Sequence, residues 1–192
     1  MANADQKSTN VLVTGGAGYI GGHTAKALAR TGYNPVVLDD LSTGHRSAVK
    51  WGPFIEGSLA DTGLLRHVFR EHKVEAVIHF AASLLVGESM TNPQKYFWNN
   101  VVNTLRLLDA MLETGVKHIV FGHDPGAFRD KGTIQTKGGR LFLIDVGMTP
   151  EFDYSKGALL LIDRKDGQDV ATSLDASGAR KEVWRGPAPH GS

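Results

Sequence analysis

A glycine-rich octapeptide, Thr14-Gly15-Gly16-Ala17-Gly18-Tyr19-Ile20-Gly21, constrains this chain more than any other stretch. Before it stands the apolar run Val11-Leu12-Val13, which reads as a strand. After it, Ile20, Ala25, Leu28 and Ala29 recur at helical spacing through Arg30. A second apolar run, Pro35 to Leu38, ends at Asp39-Asp40. In that context each glycine has its own task. Gly15 permits a tight turn, Gly18 offers no side chain to block a pyrophosphate, and Gly21 lets the helix approach the strand. The free N–H groups at the helix start favour phosphate. Asp39, about 20 residues on, suits ribose hydroxyls and favours NAD over NADP. The competing reading is a purely structural glycine turn.

The alternation continues to about Phe121. Phe54-Ile55 reads as a short third strand. Asp61 can cap a helix through Arg70 whose buried stripe is Leu64, Leu65, Val68 and Phe69. Val74 to Phe80 is a fourth strand. Thr91-Asn92-Pro93 starts a helix that runs to about Thr114, where Gly115 can stop it. His118 to Phe121 is a fifth strand. Short β-α-β connections imply a parallel sheet, and right-handed crossovers make it doubly wound. The expected fold is α/β, a Rossmann-like doubly wound parallel sheet extended or covered by C-terminal antiparallel strands. His79, ending the fourth strand, reads as a buried or cofactor-adjacent structural group.

The style changes after residue 122. A loop-rich stretch is followed by apolar runs at Arg140 to Val146, Gly157 to Asp163 and Asp169 to Ser173. Asp166-Gly167 between the last two predicts a β-hairpin. Residues 1–10 and 176–192 read as flexible ends around a cofactor domain over 11–121 and a sheet-completing segment over 122–175. The strand Arg140 to Val146 is expected to pair with the edge left beyond the fifth strand.

Charge and composition exclude several classes. Lys and Arg total 21 against 20 Asp and Glu, so no global field attracts nucleic acid or an anionic membrane. Cysteine is absent, which removes disulfides and thiolate metal sites and fits the cytoplasm. No apolar run approaches a membrane span. The expected partner is a dinucleotide, with no nucleic acid and no membrane.

Residues 11–121 resemble the N-terminal cofactor half of the UDP-glucose 4-epimerases, which are extended short-chain dehydrogenase/reductases. The resemblance rests on VTGGAGYIGGHT, VVLDDLSTGHR, AVIHFAAS, VGES and NNVVNTLRLLDAM. It implies tightly bound NAD and inversion at a sugar carbon through a transient keto intermediate. It also implies positions for the cofactor. Tyr19 and Ile20 would face the pyrophosphate. Asp39 would hold the adenosine ribose, with Asp40, Leu41, Ser42, Thr43 and Gly44 around the adenine side. Ser58 and Leu59 would lie beside the adenine ring. Phe80, Ala81 and Ala82 would line the dinucleotide, and Asn99 the nicotinamide-side ribose. In the resembled family the helix over 93–114 helps form a dimer, here through a stripe of Val101, Leu105, Leu108 and Met111; the competing reading is that this stripe packs only on its own sheet.

Four positions depart from the pattern: Ser58 for a usual Asp, Leu84 for a usual Lys, and Ala82 and Asn103 for glycines. Each lost polar contact costs about 1–3 kcal/mol. The family's catalytic Tyr and Lys, four residues apart, have no counterpart. Tyr19, Tyr33, Tyr96 and Tyr154 are followed at that spacing by His23, Val37, Asn100 and Ala158. Tyr154-Ser155-Lys156 has the wrong spacing. No catalytic residue is therefore assigned.

FGHDPG, GRLFLIDVGM and GALLLIDRKDGQDV resemble the C-terminal end of calcineurin-like metallophosphoesterases, with His123 at the position of one late metal ligand. The other ligands of that family have no match, so no metal site is assigned. Asp124 and Asp145 could join His123 only by coincidence of fold. The two resemblances together read as a chimera. The expected function is NAD binding without epimerase turnover. The alternatives are a chimera without a ligand and a metal-dependent phosphoesterase.

Overall fold

The computed structural model describes residues 9–83, 85–121, 135–137, 141–143, 158–175 and 178–187. The chain divides into two compact units, Met1–Lys117 and His118–Ser192.

In the first unit, β1 (Asn10–Thr14), β2 (Asn34–Asp39), β3 (Phe54–Glu56) and β4 (Ala76–His79) are all parallel, in the order β3-β2-β1-β4. Val11, Leu12 and Val13 of β1, Val36, Val37 and Leu38 of β2 and Val77 of β4 are buried. Strands apolar on both faces are what a sheet covered twice requires. The helix α1 (Tyr19–Arg30) connects β1 to β2, and α2 (Thr62–Glu71) connects β3 to β4. The β1-to-β2 and β3-to-β4 crossovers run in opposite directions across the sheet, so the right-handed rule places their helices on opposite faces. The result is the Rossmann-like doubly wound arrangement.

Local chemistry sets the helix ends. The Asp61 carboxylate accepts from the Leu64 N–H at 2.9 Å, and Leu65, Val68 and Phe69 form the buried stripe of α2. A short helix, α3 (Val86–Thr91), was not anticipated by the sequence pattern. Asn92 ends it and caps α4 (Pro93–Phe97), where Pro93 stands in the first turn. The backbone then widens into a π turn over Trp98–Val102, marked by an Asn103 N–H that bonds the Trp98 carbonyl five residues back. The helix α5 (Asn103–Thr114) stops at Gly115, whose φ is +79°.

The expected stripe on this long helix divides. Leu107, Ala110 and Met111 are buried, whereas Val101, Leu105 and Leu112 are exposed. The π turn contains an extra residue and rotates the faces on either side of it, so one periodic stripe cannot describe both.

In the second unit, β5 (His118–Phe121) pairs in parallel with β7 (Leu141–Leu143), and β6 (Gln135–Lys137) pairs antiparallel with β7. Leu141–Leu143, from the run expected to pair there, thus supplies the neighbour of the fifth strand. A separate antiparallel sheet runs β10-β9-β8, built from β8 (Ala158–Lys165), β9 (Gln168–Asp175) and β10 (Arg180–Pro187). Asp166 and Gly167 have φ of +52° and +74°, as a type I′ hairpin requires.

The expectation of a flexible end from 176 is corrected by β10, which pairs antiparallel with β9. Its charged residues hid one aromatic anchor. Trp184 lies over Gly186, whose added Cβ would sit 2.1 Å from the indole, and stands edge-on to Phe142 and His118. His123, Asp124, Asp145, Tyr154, Ser155 and Lys156 lie outside the described residues.

Candidate functional site

The carboxyl ends of β1 to β4 meet where the strand order reverses, between β1 and β4, which is where doubly wound sheets bind ligands. Gly15 makes the turn out of β1 with φ +71°, and its N–H donates to the Leu38 carbonyl at 2.9 Å. A side chain there would meet the Ala81 N and Phe80 C atoms at 2.8 Å. Gly16 and Gly21 are equally enclosed: an added Cβ would lie 2.6 Å from Val37 and 2.3 Å from the Gly15 carbonyl oxygen, respectively.

Gly18 differs from all three. Its φ is −81°, open to any residue, and an added Cβ would meet only the Gly15 carbonyl oxygen, at 3.3 Å. The protein therefore encloses three of these glycines and leaves the fourth facing outward. Gly18 starts α1 with no side-chain cap, so the N–H groups of the first turn have no internal side-chain acceptor. Tyr19 and Ile20, in that turn, are 83% and 61% exposed.

Asp39 ties the neighbouring loops together. One carboxylate oxygen accepts from the Ala17 N–H and the other from the Leu41 N–H, both at 2.9 Å. Each oxygen retains lone-pair capacity for a hydroxyl donor. The loop after β2 then folds back: the Asp40 side chain accepts from the Ser42 N–H at 2.9 Å, and the His45 N–H donates to the Ala17 carbonyl at 3.0 Å. Gly44 is pressed against Ala17 and Asp39, with contacts of 2.8 and 2.9 Å for an added Cβ. Ser42 and Thr43 are exposed on this loop. Beyond β3, the Ser58 hydroxyl accepts from the Ala60 N–H and Leu59 is buried.

The opposite wall follows β4. The Phe80 N–H donates to the Thr14 carbonyl at 3.0 Å, setting Phe80 and Ala81 against Gly15, and Ala82 is exposed. Of the two asparagines that hold this wall, the sequence pattern named Asn99 and missed Asn100. Asn100 brackets Ser83, accepting from its N–H at 2.8 Å and donating to its carbonyl at 2.9 Å. Asn99 donates to the Ser83 hydroxyl at 3.0 Å. The available signal was a pair of asparagines inside an otherwise apolar helix. Leu84 lies outside the described residues.

Behind the wall, the buried hydroxyl of Thr14 stands 2.7 Å from His79 Nδ1, and Thr104 Oγ1 stands 3.1 Å from His79 Nε2. Burial pushes the His79 imidazole down to about 4. The ring is therefore neutral near pH 7. Nearby, Glu88 accepts from Lys95 at 2.5 Å and from the Tyr96 hydroxyl at 2.8 Å. Tyr96 is thereby occupied. No group of three or more His, Asp or Glu side chains able to hold a metal occurs among the described residues.

The cradle fits a dinucleotide on its own geometry: an uncapped helix start, one open glycine, and a carboxylate about a strand away. Comparison with known proteins agrees. Residues 11–123 match the NAD dependent epimerase/dehydratase family. The chain is 50% identical over 111 residues to the UDP-glucose 4-epimerase of Rhizobium leguminosarum bv. trifolii, covering 58% of this chain and 34% of that protein. With the UDP-glucose 4-epimerase of Lacticaseibacillus casei it is 43% identical over 183 residues, 95% of this chain and 54% of that one. The structure of the Brucella ovis UDP-glucose 4-epimerase in complex with NAD superposes with a TM-score of 0.60 at 50% identity, over 65% of this chain and 39% of that one. The Thermus thermophilus enzyme, also complexed with NAD, gives 0.59 at 36% identity, over 69% and 44%. The chain thus spans about a third to a half of the length of these relatives. With a matched domain covering more than half of its residues and the cradle in place, this chain belongs to the NAD dependent epimerase/dehydratase family.

Proposed function

We propose that the chain is an NAD-binding module that does not turn over sugar nucleotides by itself. One observation carries the first part: Gly18 alone among the loop glycines is left open, at the uncapped start of α1 and beside Asp39. The first-turn N–H groups would hold the diphosphate, Asp39 the adenosine ribose, and Phe80 to Ala82 with Asn99 the nicotinamide half. NAD, when bound, supplies a ring that accepts and returns a hydride. The residues described here bind and orient it. Absence of turnover rests on the sequence, since none of the four tyrosines has a lysine four residues on.

Calorimetric titration tests the cofactor. NAD is expected to bind at least about tenfold more tightly than NADP, because a 2′-phosphate would face the Asp39 carboxylate. Equal affinities, or no NAD binding, would refute the reading. A UDP-galactose conversion assay on the same sample is expected to show no product.

A second copy of the chain is the proposed occupant of the exposed stripe on α4 to α5. Phe97, Trp98, Val101, Leu105 and Leu112 carry no charge, and Leu105 and Leu112 are 55% and 71% exposed. The homodimer implied by the family resemblance would cover them. Sedimentation equilibrium should give a dimer that Leu105→Glu converts to a monomer, whereas a monomeric parent protein would contradict this.

The metal-dependent reading has no ligand cluster among the described residues. The chimeric reading of 122–175 rests on its sequence motifs alone. Among the described residues no helix is long and apolar enough to cross a membrane. A cysteine-free dinucleotide module suits the cytoplasm, which we propose as its location.

A further inference from the structure

The part-buried hydrogen bonds behind the cradle have a determined direction. The Thr104 hydroxyl donates its single proton to the Asn100 carbonyl at 2.8 Å. At His79 Nε2, 3.1 Å away, the same oxygen can then only accept. His79 must carry its proton on Nε2. In the neutral ring Nδ1 is bare, so it accepts from the Thr14 hydroxyl at 2.7 Å. The order of donation is Thr14 to His79 to Thr104 to the Asn100 carbonyl.

Each end of this chain touches the cofactor cradle. Thr14 immediately precedes Gly15, and its own carbonyl holds the Phe80 N–H. Asn100 lies in the π turn and brackets the backbone of Ser83 at two points. Asn99, one residue earlier, reaches the Ser83 hydroxyl. A π turn is rare and occurs mostly as a single-turn bulge, frequently at functional sites, and here the Thr104 hydroxyl donates to a carbonyl inside it.

We propose that His79 is a positioning residue for the dinucleotide site: protonated on Nε2 and bare on Nδ1, it locks the end of β1 to the π turn and so fixes Ser83 and Asn99 at the nicotinamide-side wall. The inference rests on the reading that the cradle binds NAD. It extends that reading to groups that do not touch the cofactor. Neutrality of the ring near pH 7, imposed by burial, is consistent with one donor and one acceptor nitrogen.

The test pairs Thr104→Val with Thr104→Ser in the full chain. Valine preserves shape and removes the hydroxyl, while serine restores it. NAD affinity, thermal midpoint without NAD, and the ¹⁵N resonances of the His79 ring are measured on each. The parent protein should show Nε2 protonated and Nδ1 bare. Thr104→Val should bind NAD about tenfold more weakly and move the ring proton toward Nδ1, and Thr104→Ser should bind within about threefold of the parent. A parent ring protonated on Nδ1 overturns the inference even where the valine variant does not fold. So does a folded valine variant with unchanged NAD affinity. If the parent itself binds no NAD, the cofactor reading fails and the positioning role fails with it. Parent binding with indifferent variants sinks the positioning role alone.

Discussion

Gly18→Val is expected to leave the chain folded and to weaken NAD binding by about a hundredfold or more, whereas Gly21→Val is expected to destroy the fold. The two glycines stand three residues apart in one motif, but their surroundings differ. At Gly21 an added Cβ would lie 2.3 Å from the Gly15 carbonyl oxygen and 2.7 Å from Gly16 Cα. Both are backbone atoms at the junction of β1 and α1 and cannot rotate away. Overpacking a core usually costs about 1–3 kcal/mol where side chains can shift. A clash against fixed backbone exceeds that, and a domain has only about 5–15 kcal/mol of stability. At Gly18 the backbone is ordinary for any residue and the one close contact, 3.3 Å to the Gly15 carbonyl oxygen, needs only a small shift, so the cost to the fold is about 1 kcal/mol. The new methyl groups would instead fill the space over the α1 N-terminus. Loss of the diphosphate contacts should lower NAD affinity by about a hundredfold or more, equivalent to about 2.7 kcal/mol. Circular dichroism melting and calorimetric titration on both variants decide the matter. A Gly18→Val protein that binds NAD like its parent would show that the diphosphate lies elsewhere.

That contrast was half readable in the sequence. The spacing of glycines and the acid at position 39 located the cradle because turn geometry and close packing admit few residue types. Helix boundaries were readable for the same reason: Asp61, Asn92 and Gly115 each perform a terminal function that their chemistry suits. The sequence could not show which glycines the protein encloses, since that depends on Val37, Phe80 and Ala81 arriving from other strands. Nor could it show the π turn, because apolar periodicity does not distinguish one extra residue from a shifted stripe. Val101 and Leu105 were therefore grouped with Met111, which faces inward. The helix α3 escaped notice because VGESMT has no apolar repeat and contains a glycine. Asn100 and Thr104 were missed as site residues because their partners, Ser83 and His79, lie 17 and 25 positions away.

The desolvated His79 gives the second large expectation, a loss of stability on mild acidification. His79 titrates at about 4 in the folded chain against an ordinary value of 6.5. Between those values the unfolded chain binds the proton and the folded chain does not, so stability rises with pH across this window. The contribution is fully present above about pH 6.5 and is lost as pH falls toward 4. Its total is about 3 kcal/mol, with a slope approaching 1.36 kcal/mol per pH unit in mid-window. The shifted carboxylates act in a different range. Hydrogen bonds from Lys95, Arg66 and Arg185 hold Glu88, Glu113 and Glu182 below the ordinary 4.5, so their pairs weaken only in stronger acid. Urea denaturation at pH 7, 6, 5 and 4.5 should show the decline, and His79→Gln should flatten it by about one proton. A parent protein as stable at pH 4.5 as at pH 7 would mean that the imidazole is hydrated or already charged in the folded chain. A ring already charged at pH 7 would also break the Thr14–His79–Thr104 order of donation, since a protonated Nδ1 cannot accept from the Thr14 hydroxyl.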